Sequence, residues 1–190
     1  MNRKLMSRAV VLAVLTMIIS GSDGRGESMN LIDFKDGANV EWYVVNDGVM
    51  GGLSQSAIRL TDQGTGVFEG DLSLENNGGF ASVRALLGSR DLSAMTGLEI
   101  RVRGDGRTYQ LRLRNDGRMD GIAYRAEFAT EEDRWVTVRL LFDAFLPTFR
   151  GRILDDVPAL DTARIAQLSF LLADKKPGRF TLEIGHVRAW

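Results

Sequence analysis

The chain has 190 residues, 44% of them hydrophobic, with 24 basic and 25 acidic side chains and a formal net charge of −1. This length suits a single domain with a substantial core, and the near-neutral charge argues against a strongly basic nucleic-acid-binding protein. The chain has no cysteine and one histidine, His186. These counts exclude disulfides, thiol chemistry, cysteine-bound zinc and multi-histidine metal sites. We therefore expect no metal, no cofactor and no nucleic-acid partner.

The first residues have the order of a secretory signal. Three basic side chains within residues 1–8 precede an apolar run at residues 9–19, and small residues follow at 20–22. A charged, an apolar and a small-residue region in this order are typical of an exported chain. The apolar run is too short to span a bilayer comfortably. We therefore predict a signal peptide at residues 1–22.

The organisation of the remaining chain follows from this leader. We predict a flexible lead-in at residues 23–30 and a single β-sandwich domain at residues 31–190, because no linker or low-complexity segment divides the remainder. No second apolar stretch has membrane length, so we expect no integral membrane segment in the mature chain. With the leader, the protein is a bacterial exported protein of the periplasm. With translation from Met29 instead, it is cytoplasmic.

Alternation of apolar and polar residues runs through most of the chain after residue 53. In one segment Leu98, Ile100 and Val102 alternate with three charged residues, and this period of two predicts half-buried antiparallel strands. The predicted strands are residues 54–60, 67–74, 80–86, 98–104, 109–115, 124–130, 135–142, 165–172 and 179–187. About ten short strands separated by turn sequences such as "NNGG" and "KKPG" predict an all-β fold, a β-sandwich or jelly roll. Only single helical turns are expected, in "SRDLSAM", "DAFLPTF" and "ALDTARIAQL".

No arrangement of residues indicates catalysis. Alternation places His186 on the inward face of the last strand, near its end, where no motif gives it a catalytic partner. The serines lack a nucleophile motif, and the acidic residues at 131–133 and 155–156 lie in loop-like sequence. The segment "NDGRMDG" is better interpreted as a turn than as a calcium loop. We predict that the protein is not an enzyme.

Six arginines fall on the polar side of neighbouring predicted strands. They are Arg101, Arg103, Arg112, Arg114, Arg125 and Arg139. If those strands adjoin, one sheet face carries all six. Such a face is either a solvated surface with weak cross-strand ion pairs or a surface that binds a protein or an anion, because arginine makes bidentate contacts. The pattern shows no aromatic residue on this face, whereas a carbohydrate-binding sheet face usually needs aromatic platforms, so protein partners are favoured.

Five segments together resemble a known family. They are "DGVMGGLSQS", "FEGDLSLENNGGFASVR", "RVRGDGRTYQLRLR", "FLPTFRG" and "GRFTLEIGHVRAW". In this order, from about residue 31 to residue 190, they are similar to the complex I intermediate-associated protein 30 family. The resemblance implies a galactose-binding-domain-like jelly roll with no catalytic residues. It also implies a role like that of the mitochondrial members, which are assembly factors for the membrane arm of respiratory complex I. The predicted leader departs from a matrix protein.

Galactose-binding-like domains usually place ligands at loops on one end of the sandwich, and two glycine-rich segments supply such loops here. The segments "NDGVMGGLSQS" and "ENNGGFASVR" contain glycines that permit positive φ and asparagines that tolerate it. They would present the candidate ligand- or partner-binding residues Asp47, Met50, Ser54, Asn77, Phe80, Ser82 and Arg84. Alternatively, they form tight corners whose polar side chains satisfy buried backbone groups. We predict an ion pair between Asp47 and Arg84 that joins the two loops.

Two functions remain open on these grounds. The first is a non-enzymatic binding module that acts on a protein partner in the manner of an assembly factor, as the resemblance implies. The alternative is an exported module of the cell envelope that binds a carbohydrate or another small ligand, as the leader and the fold would allow. The arginines favour the first, and the leader favours the second.

Overall fold

Two antiparallel β-sheets lie face to face with an apolar core between them. The computed structural model describes residues 28–35 and 40–190. The strands within these residues are β1 (Met29–Asp33), β2 (Glu41–Val44), β3 (Gln55–Leu60), β4 (Gly66–Leu72), β5 (Ala81–Arg90), β6 (Gly97–Arg103), β7 (Thr108–Arg114), β8 (Ala123–Ala129), β9 (Trp135–Leu141), β10 (Leu146–Phe149), β11 (Arg152–Ile153), β12 (Ile165–Leu172) and β13 (Gly178–Ala189). The predicted all-β sandwich is confirmed.

The strands divide into a six-stranded and a seven-stranded sheet. The first has the order β3-β4-β13-β6-β9, with β1 also paired to β13. The second has the order β11-β10-β8-β7-β12-β5-β2. Sequence neighbours such as β5 and β6 therefore lie in different sheets, as is common in sandwiches whose connections cross from one sheet to the other.

The core is built from the inward side of every long strand. Phe68 and Ile100 of the six-stranded sheet and Leu111 and Phe170 of the seven-stranded sheet are fully buried. They belong to one continuous apolar cluster. Each such side chain contributes about 1.5–3 kcal/mol when it leaves water, so the alternation of the sequence fixes which side of each strand faces inward. The opposite side of each sheet is left for charged and polar residues.

The predicted strands are present, and the shortest strands were missed. All nine predicted segments overlap a strand, with ends that differ by a few residues. The four strands that the pattern did not predict, β1, β2, β10 and β11, have two to five residues each, too few for a clear alternation. Strand β1 begins at Met29, inside the predicted lead-in, and the predicted signal peptide lies outside the described residues.

Helical structure is limited to short 3₁₀ turns. Two of them, Phe142–Ala144 and Thr162–Arg164, fall in segments where a single turn was predicted. The segment "SRDLSAM" contains no helical turn, only a bend of the chain closed by the Met95 N–H and the Leu92 carbonyl. Among the described residues, no helix has the length and apolar character needed to cross a membrane.

A bulge in β13 reverses the predicted position of His186. The pairing of β13 with β6 shifts register between Ile184 and His186, so Gly185 is an extra residue in the strand. Ile184 and Val187 both face the core, which puts His186 on the outer face instead of the inward face. The prediction from alternation was wrong here because a single inserted residue exchanges the two sides of a strand.

Candidate functional site

The two glycine-rich segments meet at one corner of the sandwich, where the carboxylate of Asp47 joins them. Asp47 begins a 3₁₀ turn, Asp47–Met50, and is fully buried. Its Oδ1 accepts a hydrogen bond from the Ser54 N–H at 3.0 Å, and its Oδ2 accepts one from Ser54 Oγ at 2.6 Å. Oδ2 also accepts from the N–H groups of Gly79 at 2.6 Å and Phe80 at 3.2 Å. One carboxylate therefore satisfies buried donors of both segments.

The preceding residue, Asn46, makes a second link between the same segments. Its Oδ1 accepts hydrogen bonds from Ser56 Oγ at 2.7 Å and from the Ser82 N–H at 3.2 Å. The Ser82 hydroxyl in turn donates to the Val45 carbonyl. Asn46 was not among the predicted site residues. The signal that could have identified it is the Asn-Asp pair in front of a glycine, because both side chains readily bond to nearby backbone groups.

The charge state of Asp47 is set by these contacts. Burial alone would raise the pKa of its carboxyl group, because burial disfavours the charged form. The hydrogen bonds from Ser54, Gly79 and Phe80 outweigh burial and hold the pKa below its ordinary value. Asp47 is therefore an ionised carboxylate at neutral pH, held inside the corner by donors of the chain itself.

Two glycines are required at this corner because the carboxylate occupies the space of a side chain. A Cβ on Gly52 would lie 2.4 Å from Asp47 Cγ, and a Cβ on Gly78 would lie 2.6 Å from Asp47 Oδ2. Gly51 has a φ of 89°, a left-handed conformation that favours glycine. The glycine density of the sequence thus reflects the packing of backbone around one buried carboxylate.

Gly52→Ala is expected to lower the free energy of unfolding by about 1–3 kcal/mol, because the added methyl group overlaps the Asp47 carboxylate. Gly48→Ala in the same turn is the matched control, since a Cβ there meets no atom within 4 Å. The control should change stability by less than about 0.5 kcal/mol. Urea unfolding of both variants measures the difference. Equal midpoints for the two would contradict the steric role of Gly52.

The structure does not bring the seven predicted loop residues to one surface. Met50 is 56% exposed, and Asn77 is exposed with a φ of 60°. Asp47 and Ser54 are buried and bonded to one another, as described above. Ser82 and Arg84 belong to β5 and are also buried, with exposed fractions of 4% and 6%. Only Met50 and Asn77 of this set are exposed, and Phe80 is half-buried.

The predicted ion pair between Asp47 and Arg84 is wrong. The Asp47 oxygens are occupied by the four donors of the corner, and Arg84 Nη1 donates to the Met119 carbonyl at 2.8 Å. The reason is alternation along β5. Because Val83 and Ala85 face the core, Arg84 points to the outer face of its sheet and away from the carboxylate inside the corner.

The six predicted surface arginines also do not share one face. The six-stranded sheet carries Arg101, Arg103 and Arg139, and the seven-stranded sheet carries Arg112, Arg114 and Arg125. They therefore lie on opposite outer faces of the sandwich. Alternation showed correctly that each side chain faces outward, but it does not tell which strands share a sheet.

The arginines of the six-stranded sheet have partners of their own. Arg103 Nε donates to Glu183 Oε2 at 3.0 Å, and Arg139 Nε donates to Glu99 Oε2 at 2.9 Å. Two tryptophans also lie on this face, which corrects the expectation that it has no aromatic residue. Trp135 lies under the guanidinium groups of Arg101 and Arg103, with distances of 5.0 and 5.5 Å from Cζ to the ring centre. Trp190 is covered by Arg139 in the same way.

Another polar group on this face, His186, has little charge at neutral pH. Burial lowers the pKa of its imidazole, and the neighbouring Arg188 lowers it further, against the opposing effect of Glu99 at 3.5 Å. The face carries cross-strand ion pairs and cation–π contacts, while the buried Arg188 Nε and Trp190 Nε1 atoms have no hydrogen-bond partner. Such pairs contribute little individually when they are exposed.

The outer face of the seven-stranded sheet is different, because its arginines form a row across neighbouring strands. Arg84 on β5 lies opposite Ser169 on β12, Ser169 lies opposite Arg112 on β7, and Arg112 lies opposite Arg125 on β8. We call Arg84, Arg112 and Arg125 the arginine row. Tyr43 on β2 continues it at the sheet edge. Three guanidinium groups from three different strands are thus brought together on one sheet face.

Few carboxylates lie near the arginine row, and one of them, Asp120, opposes the lowering of the Arg84 pKa. Glu127 is the one carboxylate on the outward side of β5, β12, β7 and β8, and its Oε1 lies 3.4 Å from Arg125 Nη1. Arg112 donates only to the neutral amide oxygen of Gln110, at 3.0 and 2.7 Å. Arg84 has its Met119 contacts through Nη1, and its buried Nε has no hydrogen-bond partner. A buried cation without a carboxylate is costly in a folded protein.

This cost is reflected in the lowered pKa values of two arginines of the row. Burial lowers the pKa of Arg84 to about 10, and repulsion from Arg114 adds to the effect. Burial likewise lowers the pKa of Arg112 to about 10, with further lowering by Arg125, Arg114 and Arg84. Both groups remain charged at neutral pH, so the folded protein holds like charges together in a poorly solvated place.

Two polar residues beside the row were not predicted as site residues. Gln167 is 1% exposed; its Nε2 donates to the Arg118 carbonyl at 3.1 Å, whereas its buried Oε1 has no partner. Gln110 is 7% exposed and holds Arg112. Both lie in strands that the sequence predicted. The signal that could have found them is the run of polar residues on the outward side of a strand whose inward side is wholly apolar.

Two open grooves flank these faces. One of about 290 Å³ is lined by Thr108, Gln110, Glu127, Ala173 and Asp174, next to the arginine row. A larger one of about 810 Å³ lies over the six-stranded sheet, but two of its carboxylates, Glu69 and Asp105, already accept hydrogen bonds from the chain. The two carboxylates of the smaller groove, Glu127 and Asp174, likewise accept hydrogen bonds from Gln110 and Arg107. Within the described residues, no group of three or more carboxylates or imidazoles is placed to hold a metal ion.

The family model described as complex I intermediate-associated protein 30 matches residues 32–184. The chain belongs to this family. The fruit fly relative named complex I intermediate-associated protein 30, mitochondrial, from Drosophila melanogaster is 27% identical over 85% of this chain and 62% of its own length. The mouse relative of the same name, from Mus musculus, is 26% identical over 77% of this chain and 51% of its own. The chain thus spans only about half to three-fifths of these relatives, and none of these names is that of an enzyme.

Solved structures with a similar fold are carbohydrate-binding modules. The family 11 module of the cellulase Lic26A-Cel5E of Clostridium thermocellum has a TM-score of 0.61 and 17% identity, over 86% of this chain and 94% of that one. A family 29 module has a TM-score of 0.54 and 11% identity, over 87% of this chain and 92% of that one. Identities this low show a common β-sandwich fold, in agreement with the galactose-binding-like expectation.

Proposed function

We propose that this domain is a non-catalytic binding module on which a protein partner docks, in the manner of an assembly factor, and that the partner contacts the outer face of the seven-stranded sheet. The single observation that supports this proposal best is the contrast between the two outer faces. On the six-stranded sheet, Arg139 is paired with Glu99 and Arg103 with Glu183, and Arg101 lies over the Trp135 ring. Within the arginine row, Arg125 pairs with Glu127 at 3.4 Å, whereas Arg84 and Arg112 have no carboxylate partner among the described residues. Incompletely compensated arginines of this kind are typical of a surface that meets a partner.

The names of the relatives support the same class of function. The fruit fly and mouse proteins are named as associated with complex I intermediates in mitochondria, which suggests an assembly role for this chain as well. Export through residues 1–22 stays a prediction, since those residues lie outside the described part. The assembly proposal concerns the folded domain and requires that the chain stays on the side of the membrane where the assembly intermediates lie.

The carbohydrate alternative has less support from the binding face. Modules that bind sugars along a sheet usually stack them on aromatic rings. Among the described strands, the ring that continues the arginine row is Tyr43 at the sheet edge, and the tryptophans of the opposite face are covered by guanidinium groups. At these low sequence identities, the fold that the chain shares with carbohydrate-binding modules does not imply that it binds the same ligands.

The proposal is tested in cells that lack this chain, with assembled complex I measured on native gels. We expect assembled complex I to fall and the wild-type chain to restore it. Arg112→Glu combined with Arg125→Glu should fail to restore it while remaining folded, because a partner selected by positive charge meets negative charge instead. The matched control is Arg59→Glu combined with Arg101→Glu on the opposite sheet, which should restore assembly. Normal complex I in cells without the chain would overturn the assembly role.

A further inference from the structure

We propose that the arginine row is a receptor for carboxylates, and that the partner presents to it an acidic peptide segment whose Asp or Glu side chains bridge Arg112 and Arg125 and approach Arg84. This inference rests on the proposed function and names the chemistry by which the partner is recognised. It goes beyond the family membership, which specifies neither a binding face nor a ligand group.

The spacing of the row fits side-chain carboxylates. Arg112 and Arg125 are directly opposite on adjacent strands, where Cα atoms are about 4.5–5.5 Å apart, so a single carboxylate can accept from both. Arg84 and Arg112 are both opposite Ser169 and hence two strands apart, which corresponds to about 10 Å. A second acidic side chain on an extended segment can therefore lie towards Arg84 while the first occupies the other two.

The chemistry of the row favours a planar anion. A guanidinium group offers parallel N–H donors that match the two oxygens of a carboxylate. Arg125 is partly open to solvent, with 21% of its side chain exposed, and gives access to the row. Arg84 lies behind, 6% exposed, with an Nε that has no acceptor in the protein. An incoming anion adds negative charge beside Arg112, which has only the neutral Gln110 amide as its acceptor.

The segment after β7 covers one end of the row. The Met119 carbonyl accepts from Arg84 Nη1, and the Arg118 carbonyl accepts from Gln167, which is 1% exposed. A partner therefore meets the row first at Arg125 and Arg112. A peptide that carries several acidic side chains can extend from there along the row, whereas a single inorganic anion cannot span the distance of about 10 Å between Arg112 and Arg84.

The test measures binding of a ten-residue glutamate peptide to the full chain by isothermal titration calorimetry at low and moderate salt. A glutamine peptide of the same length and inorganic phosphate are the comparison probes. We expect the glutamate peptide to bind at least tenfold more tightly than the glutamine peptide, and to weaken as salt increases. Arg112→Gln should reduce its affinity by about tenfold or more, as expected for loss of a charge-assisted hydrogen bond. Arg59→Gln, on the other sheet, is the control and should bind like the wild type.

Each contrary outcome has a definite meaning. Equal binding of the glutamate and glutamine peptides, or unchanged affinity in Arg112→Gln, would overturn the inference. Tighter binding of phosphate than of the glutamate peptide would overturn it in favour of a phosphate site. A lower unfolding midpoint of Arg112→Gln than of Arg59→Gln would also overturn it, since a guanidinium group kept for binding should not support the fold.

The two proposals fail separately. Suppose that the glutamate peptide does not bind, but the double variant Arg112→Glu, Arg125→Glu fails to restore complex I. The proposed assembly function is then supported, and the proposed recognition of carboxylates is wrong. If the peptide binds through the row but the same chain restores complex I fully, the chemistry stands and the proposed assembly function of this face is wrong.

Discussion

Replacing Asp47 with alanine is expected to lower the free energy of unfolding by about 3–5 kcal/mol, because each buried donor left without an acceptor costs about 1–3 kcal/mol. The change removes the acceptor of three backbone N–H groups and of the Ser54 hydroxyl at once. It also leaves the two glycine-rich segments without their common link. Urea unfolding at neutral pH measures the loss. Asp62→Ala, at an exposed turn position, is the control and should change stability by less than about 0.5 kcal/mol.

The effect of Asp47 should depend on pH in a defined direction. Its folded-state pKa lies below the ordinary value, so its contribution to stability is fully present above the unfolded-state pKa and is lost as the pH falls through the folded-state pKa. The difference in stability between wild type and Asp47→Asn should therefore shrink on acidification. A difference that stays constant from neutral to strongly acidic pH would show that the carboxylate charge does not stabilise the corner.

Arg107→Met is expected to have the second large effect, a loss of about 3–5 kcal/mol, because it leaves one member of a buried ion pair without its partner. Arg107 Nη2 and Nε donate to the two carboxylate oxygens of Asp174 at 2.6 and 3.0 Å. The side chains are 10% and 9% exposed. Arg107 also donates to the carbonyls of Lys176 and Arg179, so it joins the turn after β6 to the turn before β13.

A double variant separates the interaction between Arg107 and Asp174 from the other contacts that each side chain makes. Arg107→Met combined with Asp174→Asn should lose less stability than the sum of the two single changes, because no buried charge is left uncompensated. Thermal or urea unfolding of the four proteins completes this cycle. Arg118→Met tests an exposed pair with Asp116 and should have almost no effect. Strict additivity of the two single losses would mean that the pair is not coupled.

Local patterns predicted the long strands because each of them has one wholly apolar side. The alternation in β6 and β7 is uninterrupted, and both strands are found within one residue of their predicted starts. Strands β10 and β11 are held by pairing with their neighbours and have few residues of their own. Their position depends on contacts across the sheet, which no local pattern contains.

The site was less predictable than the fold for a related reason. The sequence shows that Arg84 and Arg112 each face outward. Their closeness in space depends on β12, which lies between their strands in the sheet. Because β12 follows both arginines by more than 50 residues, no local pattern contains this information. The bulge at Gly185 likewise arises from pairing with β6 and has no distinct local signal. By contrast, the corner of Asp47 was recognisable from its glycines. The hydrogen bonds of the Asp47 carboxylate agree with the alternative that these segments are tight corners whose polar side chains satisfy buried backbone groups.

Strand β13 has a consequence for how the protein folds. It pairs with β1, β4 and β6 and lies at the middle of the six-stranded sheet, so residues 178–189 must be present before that sheet can close. Pairings such as Ala189 with Met29 span nearly the whole described chain, and contacts this distant in sequence slow folding because a large loop has to be closed first. During synthesis, the earlier strands therefore leave the ribosome with unpaired edges, and a chain that stalls before residue 178 is expected to be prone to aggregation and degradation.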